Sequence, residues 1–183
     1  HESTIFHYKN TTIALTICED IWHDEPIAAA KKQGAELVLN LNASPFHINK
    51  QAERLRTVQQ RACDHQVAIA YVNLIGGQDE LVFDGGSLAV NATGEVAHEC
   101  ALFTEQLTVV EFDRITKKFL TQYRAPAITV EAAVYQALVL GVKDYVTKSG
   151  FQGVVLGLSG GIDSGLVLAI AVDALGAERV NAV

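Results

Sequence analysis

Short apolar runs that alternate with helical periodicities fill the first half of the chain. Residues 5–8 and 12–17 read as two strands joined by a turn at Lys9-Asn10. Pro26 stands where a helix start tolerates it, a helical stretch runs on to Lys32, and Gly34 stops it. Residues 36–41 predict the next strand, with Asn42-Ala43-Ser44-Pro45-Phe46 as a loop after it. From about 49 to 65 the pattern is helical, and 67–73 is again a strand. Gly76-Gly77-Gln78-Asp79-Glu80 reads as a loop. Residues 87–90 and 95–98 flank Asn91-Ala92-Thr93-Gly94, a hairpin signal, and 107–112 suggests a further strand.

The second half changes character. Residues 114–126 turn basic and irregular and read as a linker. Thr129 can cap a long helix over 130–148, closed by Ser149-Gly150. Val154-Val155-Leu156 is short and β-branched enough for a buried strand. It leads through Gly157-Leu158-Ser159-Gly160-Gly161-Ile162-Asp163-Ser164 into an apolar, mostly buried helix over 165–172, and a second strand begins near Val183. The expected organisation is an α/β layered domain over 1–113, a linker over 114–126, and the opening of a parallel-sheet domain over 127–183.

Composition narrows the classes. Hydrophobic residues make up 49% and charged residues 19%, a globular balance. A net charge of −7 argues against a nucleic-acid surface. No apolar run reaches about 18 residues, so no membrane span is expected. The three cysteines, Cys18, Cys63 and Cys100, fit neither a disulfide framework nor a zinc site, which points to a reducing, cytoplasmic setting. The chain has no Met and stops where a strand begins, and it reads as an internal excerpt of a longer protein.

Strand, glycine turn and helix over 154–172 is the arrangement in which free backbone N–H groups and the helix dipole meet an anion. Ser159 and Ser164 add hydroxyl donors, and Asp163 adds a carboxylate suited to magnesium, or to capping the helix. No Lys follows the last glycine, so this is not a Walker A loop. The order Ser-Gly-Gly-Ile-Asp-Ser resembles the pyrophosphate loop of the N-type ATP pyrophosphatases, which split ATP into AMP and pyrophosphate.

Cys18 closes an apolar strand, where a thiol can emerge at the carboxyl end with the Glu19 N–H as an oxyanion donor. By residue type alone a free Cys is more often a buried core residue. Thr16-Ile17-Cys18-Glu19-Asp20-Ile21-Trp22, however, resembles the nucleophile segment of the nitrilase superfamily in its glutamine amidotransferase branch. Leu41-Asn42-Ala43-Ser44-Pro45-Phe46 with Lys50 is similar to the glutamine-binding loop there. The stretch from Gly76 to Ser87 resembles the segment before that branch's last hairpin. Nitrilase-like segments followed by Ser-Gly-Gly-Ile-Asp-Ser resemble the glutamine-dependent NAD synthetase family.

The resemblance implies the C-terminal part of an αββα sandwich, then the start of an adenine nucleotide α-hydrolase-like, Rossmann-like domain. It implies Cys18 as amidase nucleophile, Ser44 and Lys50 as glutamine ligands, residues 157–164 (Gly157, Leu158, Ser159, Gly160, Gly161, Ile162, Asp163, Ser164) at ATP, and Asp163 on Mg2+. By residue type, Ser44 also reads as a turn serine and Lys50 as a solvated lysine. The implied substrates are glutamine, ATP and deamido-NAD(+), with assembly as a homo-oligomer and no nucleic-acid or membrane partner. Another amidoligase with the same loop, or a non-catalytic nucleotide-binding regulator, are the alternatives. The family's glutamate base and lysine precede its cysteine, and neither Glu2 nor Lys9 stands at a matching spacing, so neither is assigned. His1, His7, His23, His47, His65 and His98 show no metal-ligand spacing. Arg54, Arg56 and Arg61 read as a surface or subunit face and not a phosphate site, and Asp79, Glu80 and Asp84 as a solvated acidic loop.

Overall fold

The computed structural model describes residues 4–183, so His1, Glu2 and Ser3 lie outside the described residues. Strand β1 (Thr4–Tyr8) turns back on β2 (Thr11–Ile17) through Lys9 and Asn10, both at positive φ. Two parallel steps follow, to β3 (Leu37–Asn42) through helix α1 (Asp24–Lys32), and to β4 (Ala68–Asn73) through helix α2 (Lys50–His65). Strands β5 (Ile75–Gln78) and β6 (Leu81–Asp84) form a separate hairpin. Strand β7 (Leu88–Val90) extends the main sheet antiparallel to β4, and β8 (Val96–Glu99) pairs antiparallel to β7.

The period-two pattern decides which face is covered. Ala14, Val38, Ile69 and Val90 stand in register on one face and pack beneath α1 and α2 with Ile27, Ala30, Val58 and Ala62. Each of the Val and Ile side chains among them contributes about 1.5–3 kcal/mol on burial. Ile13, Leu37 and Ala68 point the other way and meet Phe119. Further along that second face Ile17, Leu41 and Val72 form a row that stays exposed. One helical layer and one sheet are therefore in place, with an apolar face left open at the carboxyl end of the strands.

Several expectations need correction. Residues 76–80 are not a plain loop: Gly76, Gly77 and Gln78 belong to β5, and only Asp79 and Glu80 make the turn. Residues 107–111 are not a strand. Leu107 is 99% exposed, and only β9 (Phe112–Asp113) forms, paired with β10 (Lys118–Phe119). The basic stretch 114–126 is tied down. The Phe119 N–H donates to buried Asn91, Lys117 pairs with Glu36 at 2.7 Å, and β11 (Tyr123–Arg124) joins the main sheet beside β8.

Helix α3 (Val130–Lys148) starts on Thr129, whose side chain accepts the Ala132 N–H, and leads to β12 (Val154–Leu156). Helix α4 (Ile162–Leu175) then returns to β13 (Val180–Ala182), parallel to β12. Expected to be mostly buried, α4 buries only Ile170, Ala171, Ala174 and Leu175, because α3 covers one of its faces and Leu166 and Val167 stay exposed.

The β5–β6 hairpin lies against α3. Gly77 donates its N–H to Asp144 Oδ2 at 2.7 Å, its carbonyl accepts from Lys148 Nζ at 2.7 Å, and the two side chains pair at 3.0 Å. A Cβ on Gly77 would stand 3.1 Å from that of Asp144, so glycine lets the hairpin approach the helix. Partial burial would raise the Asp144 carboxyl, but the Gly77 N–H and the Lys148 ammonium outweigh it and hold the group below its ordinary value. A depressed carboxyl supplies stability above its unfolded pKa and loses it as pH falls through the folded value. Hydrogen exchange at the Gly77 amide is therefore expected to be protected at neutral pH and to lose protection below about pH 4. In Asp144→Ala the protection should be lost at every pH.

Candidate functional site

The parallel register of β2, β3 and β4 brings their carboxyl ends together. Ile17 pairs with Leu41 and Asn42 with Asn73, so the residues that follow, Cys18 and the Ala43–Phe46 loop, emerge side by side. Cys18 opens a 3-10 turn, Cys18–Trp22, and sits at φ 45°, a left-handed value uncommon outside glycine and asparagine. Asp20 closes this turn, its Oδ2 accepting the Ile17 N–H at 2.8 Å. Arg61 holds the far end, donating to the Trp22 carbonyl at 2.9 Å and the His23 carbonyl at 3.2 Å. A half-buried thiol on a strained strand-to-turn junction is the backbone form in which a nucleophile is presented to a cleft.

Ser44 is buried beside it. Its N–H donates to Asn73 Oδ1 at 2.9 Å, and its carbonyl accepts from Arg54 Nη2 at 2.8 Å and Asn73 Nδ2 at 3.3 Å. Lys50 begins α2, pairs with Glu53 at 3.5 Å, and lays its ammonium over the Trp22 ring at 4.1 Å from the centroid. Lys50 thus leans toward the turn that Cys18 starts. Lys9, by contrast, lies in the β1–β2 turn, at the end of β2 opposite to Cys18.

The reading of Arg54 as a surface residue is overturned. Arg54 is 0% and Asp84 1% exposed, and they pair at 2.7 Å. Arg54 shares the inward face of α2 with Val58 and Ala62, whereas Arg56 points outward. That four-residue spacing was the available signal. Asp84 likewise is no part of a solvated acidic loop: it ends β6 inside the molecule. Burial pushes its carboxyl up and Arg54 offsets this only in part, while its Oδ2 finds no hydrogen bond among the described residues. Tyr71, on β4, completes the group. Burial raises its hydroxyl, opposed by the nearby Arg54 cation and the Ser44 hydroxyl beside it.

At the other end of the chain residues 157–161 join β12 to α4 and are exposed. Gly160 has φ 81°. Ser159 Oγ and Ser164 Oγ lie 3.0 Å apart, and Ser164 Oγ also donates to the Gly161 carbonyl at 3.0 Å. Gly161 is the N-cap, so Asp163 lies in the first turn of α4 rather than capping it. One exposed carboxylate beside hydroxyls and helix-end N–H groups fits magnesium, which uses one or two carboxylates plus substrate phosphates. Among the described residues no group of three or more His, Cys, Asp or Glu side chains is placed to hold a metal alone, and no helix is long and apolar enough to cross a membrane.

A thiol at the carboxyl edge of a helix-covered sheet, followed by a strand–glycine loop–helix unit, is the arrangement of a nitrilase-like domain that leads into the start of an NAD synthase domain. The chain belongs to the carbon–nitrogen hydrolase family, whose model matches residues 2–118, and residues 134–183 match the NAD synthase model. It is 45% identical over 183 residues to the glutamine-dependent NAD(+) synthetase of Acinetobacter baylyi, covering 100% of this chain and 34% of that protein. The glutamine-dependent NAD+ synthetase of Acinetobacter baumannii, solved in complex with ADP, superposes with a TM-score of 0.94 at 46% identity, over 100% of this chain and 35% of that one. An amidase of Nesterenkonia from the nitrilase superfamily superposes with a TM-score of 0.52 at 26% identity, over 56% of this chain and 38% of that one. The chain thus spans about a third of the length of the curated relatives it matches.

The strained backbone at Cys18 has a measurable signature. Glycine adopts positive φ without a Cβ penalty, so Cys18→Gly is expected to be about 0.5–1 kcal/mol more stable than Cys18→Ala in chemical denaturation. Equal stabilities would mean that the position carries no strain.

Proposed function

We propose that this chain is part of a glutamine-hydrolysing NAD(+) synthetase, with residues 1–113 in the amidase unit and 127–183 opening the synthetase unit. The observation that carries this is the presence in one chain of the strained Cys18 junction and the loop 157–164, with 45% identity along the whole length to a glutamine-dependent NAD(+) synthetase. Cys18 Sγ attacks the side-chain amide carbon of glutamine. The oxyanion accepts a hydrogen bond from the Glu19 N–H, the proton given up by the thiol ends on the leaving nitrogen, the C–N bond breaks to release ammonia, and a glutamyl thioester remains for water to hydrolyse. Ser44 supplies a hydroxyl and Lys50 a cation to the amino acid's polar groups.

In the second reaction ammonia displaces AMP from the adenylylated nicotinate carboxylate of deamido-NAD(+). Residues 157–164 hold the pyrophosphate through backbone N–H groups and the Ser159 and Ser164 hydroxyls, at the positive end of α4. Asp163 would hold a magnesium ion, which offsets phosphate charge. The substrates are small molecules, the setting is cytoplasmic, and the protein assembles as a homo-oligomer.

The test uses the full-length protein with deamido-NAD(+), ATP and magnesium, supplied with glutamine or ammonium. Cys18→Ala is expected to lose glutamine-driven NAD formation by about 10³-fold or more while ammonium-driven formation persists. Unchanged glutamine-driven activity would remove Cys18 from the reaction. No NAD from either nitrogen source in wild type would leave the nucleotide loop with a different acceptor.

A further inference from the structure

We propose that Arg54 is a positioning residue for glutamine binding: its guanidinium sets the Ser44 hydroxyl as a hydrogen-bond donor and fixes the loop that carries it. The inference rests on the reading of Ser44 as a glutamine ligand. Arg54 Nε donates to Ser44 Oγ at 3.2 Å, and Nη2 donates to the carbonyls of Ser44 at 2.8 Å and Pro45 at 3.2 Å. A guanidinium donates only, so Ser44 Oγ must accept on that side, and its own proton is turned elsewhere. The Ser44 N–H and carbonyl are already engaged with Asn73 and Arg54, so the hydroxyl proton is the part of the residue left for a ligand, with the Tyr71 hydroxyl as its other polar neighbour. Ser44 is thereby polarised to donate to an acceptor oxygen of the amino-acid substrate.

Asp84 holds Arg54 in this role. Its Oδ1 accepts from Nη1 at 2.7 Å, and Gln51 Oε1 accepts from the same nitrogen at 3.4 Å. Charge at this depth is costly, and an apolar side chain would fill the same space on α2 beside Val58 and Ala62 without that cost. A fork bound to one loop residue through both its backbone and its hydroxyl has a directional use that an apolar residue lacks.

The experiment uses full-length protein and compares Ser44→Ala, Arg54→Lys and the double variant by KM and kcat for glutamine. Ammonium-driven NAD formation and the melting temperature serve as readouts of the fold. Lysine keeps a cation for Asp84 but loses the fork. Arg54→Lys is expected to raise the KM for glutamine about 10- to 100-fold with ammonium-driven synthesis within about twofold, and the double variant should be no worse than Ser44→Ala alone. Effects that multiply in the double variant, or equal losses with both nitrogen sources, overturn the proposal. Ser44→Ala with unchanged KM overturns the glutamine-binding reading and this inference with it. An effective Ser44→Ala beside a silent Arg54→Lys overturns this inference alone. Should Arg54→Lys not fold, Asp84→Asn keeps the shape of the anchor. It should raise the KM in the same direction, and an unchanged KM there overturns the proposal as well.

Discussion

The buried Arg54–Asp84 pair joins three pieces of chain that the main sheet does not connect. Arg54 comes from the first turns of α2, Asp84 from the end of the β6 strand, and the carbonyls of Ser44 and Pro45 from the loop after β3. Removing either partner would strand a charge in the interior, which costs several kcal/mol. The β5–β6 hairpin that ends in Asp84 also lies against α3 through Gly77, Asp144 and Lys148. A single hairpin therefore touches both the loop beside Cys18 and the helix that precedes β12.

Around that anchor the site is a consequence of register. In a parallel sheet the carboxyl ends of neighbouring strands open into one crevice, and here Cys18, Ser44 and Asn73 follow or end adjacent strands. The helical face of the sheet carries a polar rung at that end, where buried Asn40 donates to Thr16 at 2.9 Å, and Asn42 donates to Asn40 Oδ1 at 2.7 Å. These bonds fix the strand ends from within. The opposite face leaves Ile17, Leu41 and Val72 exposed in one apolar row.

Much of this was legible in the sequence, and what was not has physical causes. Strands β1 to β4 and helices α1 to α3 follow from period and punctuation, because local pattern and tertiary packing agree there. Strand β5 was hidden by Gly76 and Gly77, which read as turn residues. They serve instead to admit Asp144 and Gly141 of α3, a tertiary demand without local signature. Residues 107–111 carry a strand composition but find no ladder partner. Motifs marked Cys18, Ser44, Lys50 and the glycine loop, whereas Arg54 and Asp84 were discounted because charge is usually exposed. Only the spacing of Arg54 with Val58 and Ala62 hinted otherwise.

The most direct measurement is covalent trapping. Full-length protein would be treated with an electrophilic glutamine analogue bearing a diazoketone in place of the side-chain amide, then digested and mapped by mass spectrometry. A single adduct on the peptide bearing Cys18, prevented by excess glutamine and absent from Cys63 and Cys100, is the expected result. Labelling that is spread over the three thiols, or that glutamine does not prevent, would contradict a glutamine-binding nucleophile at the end of β2.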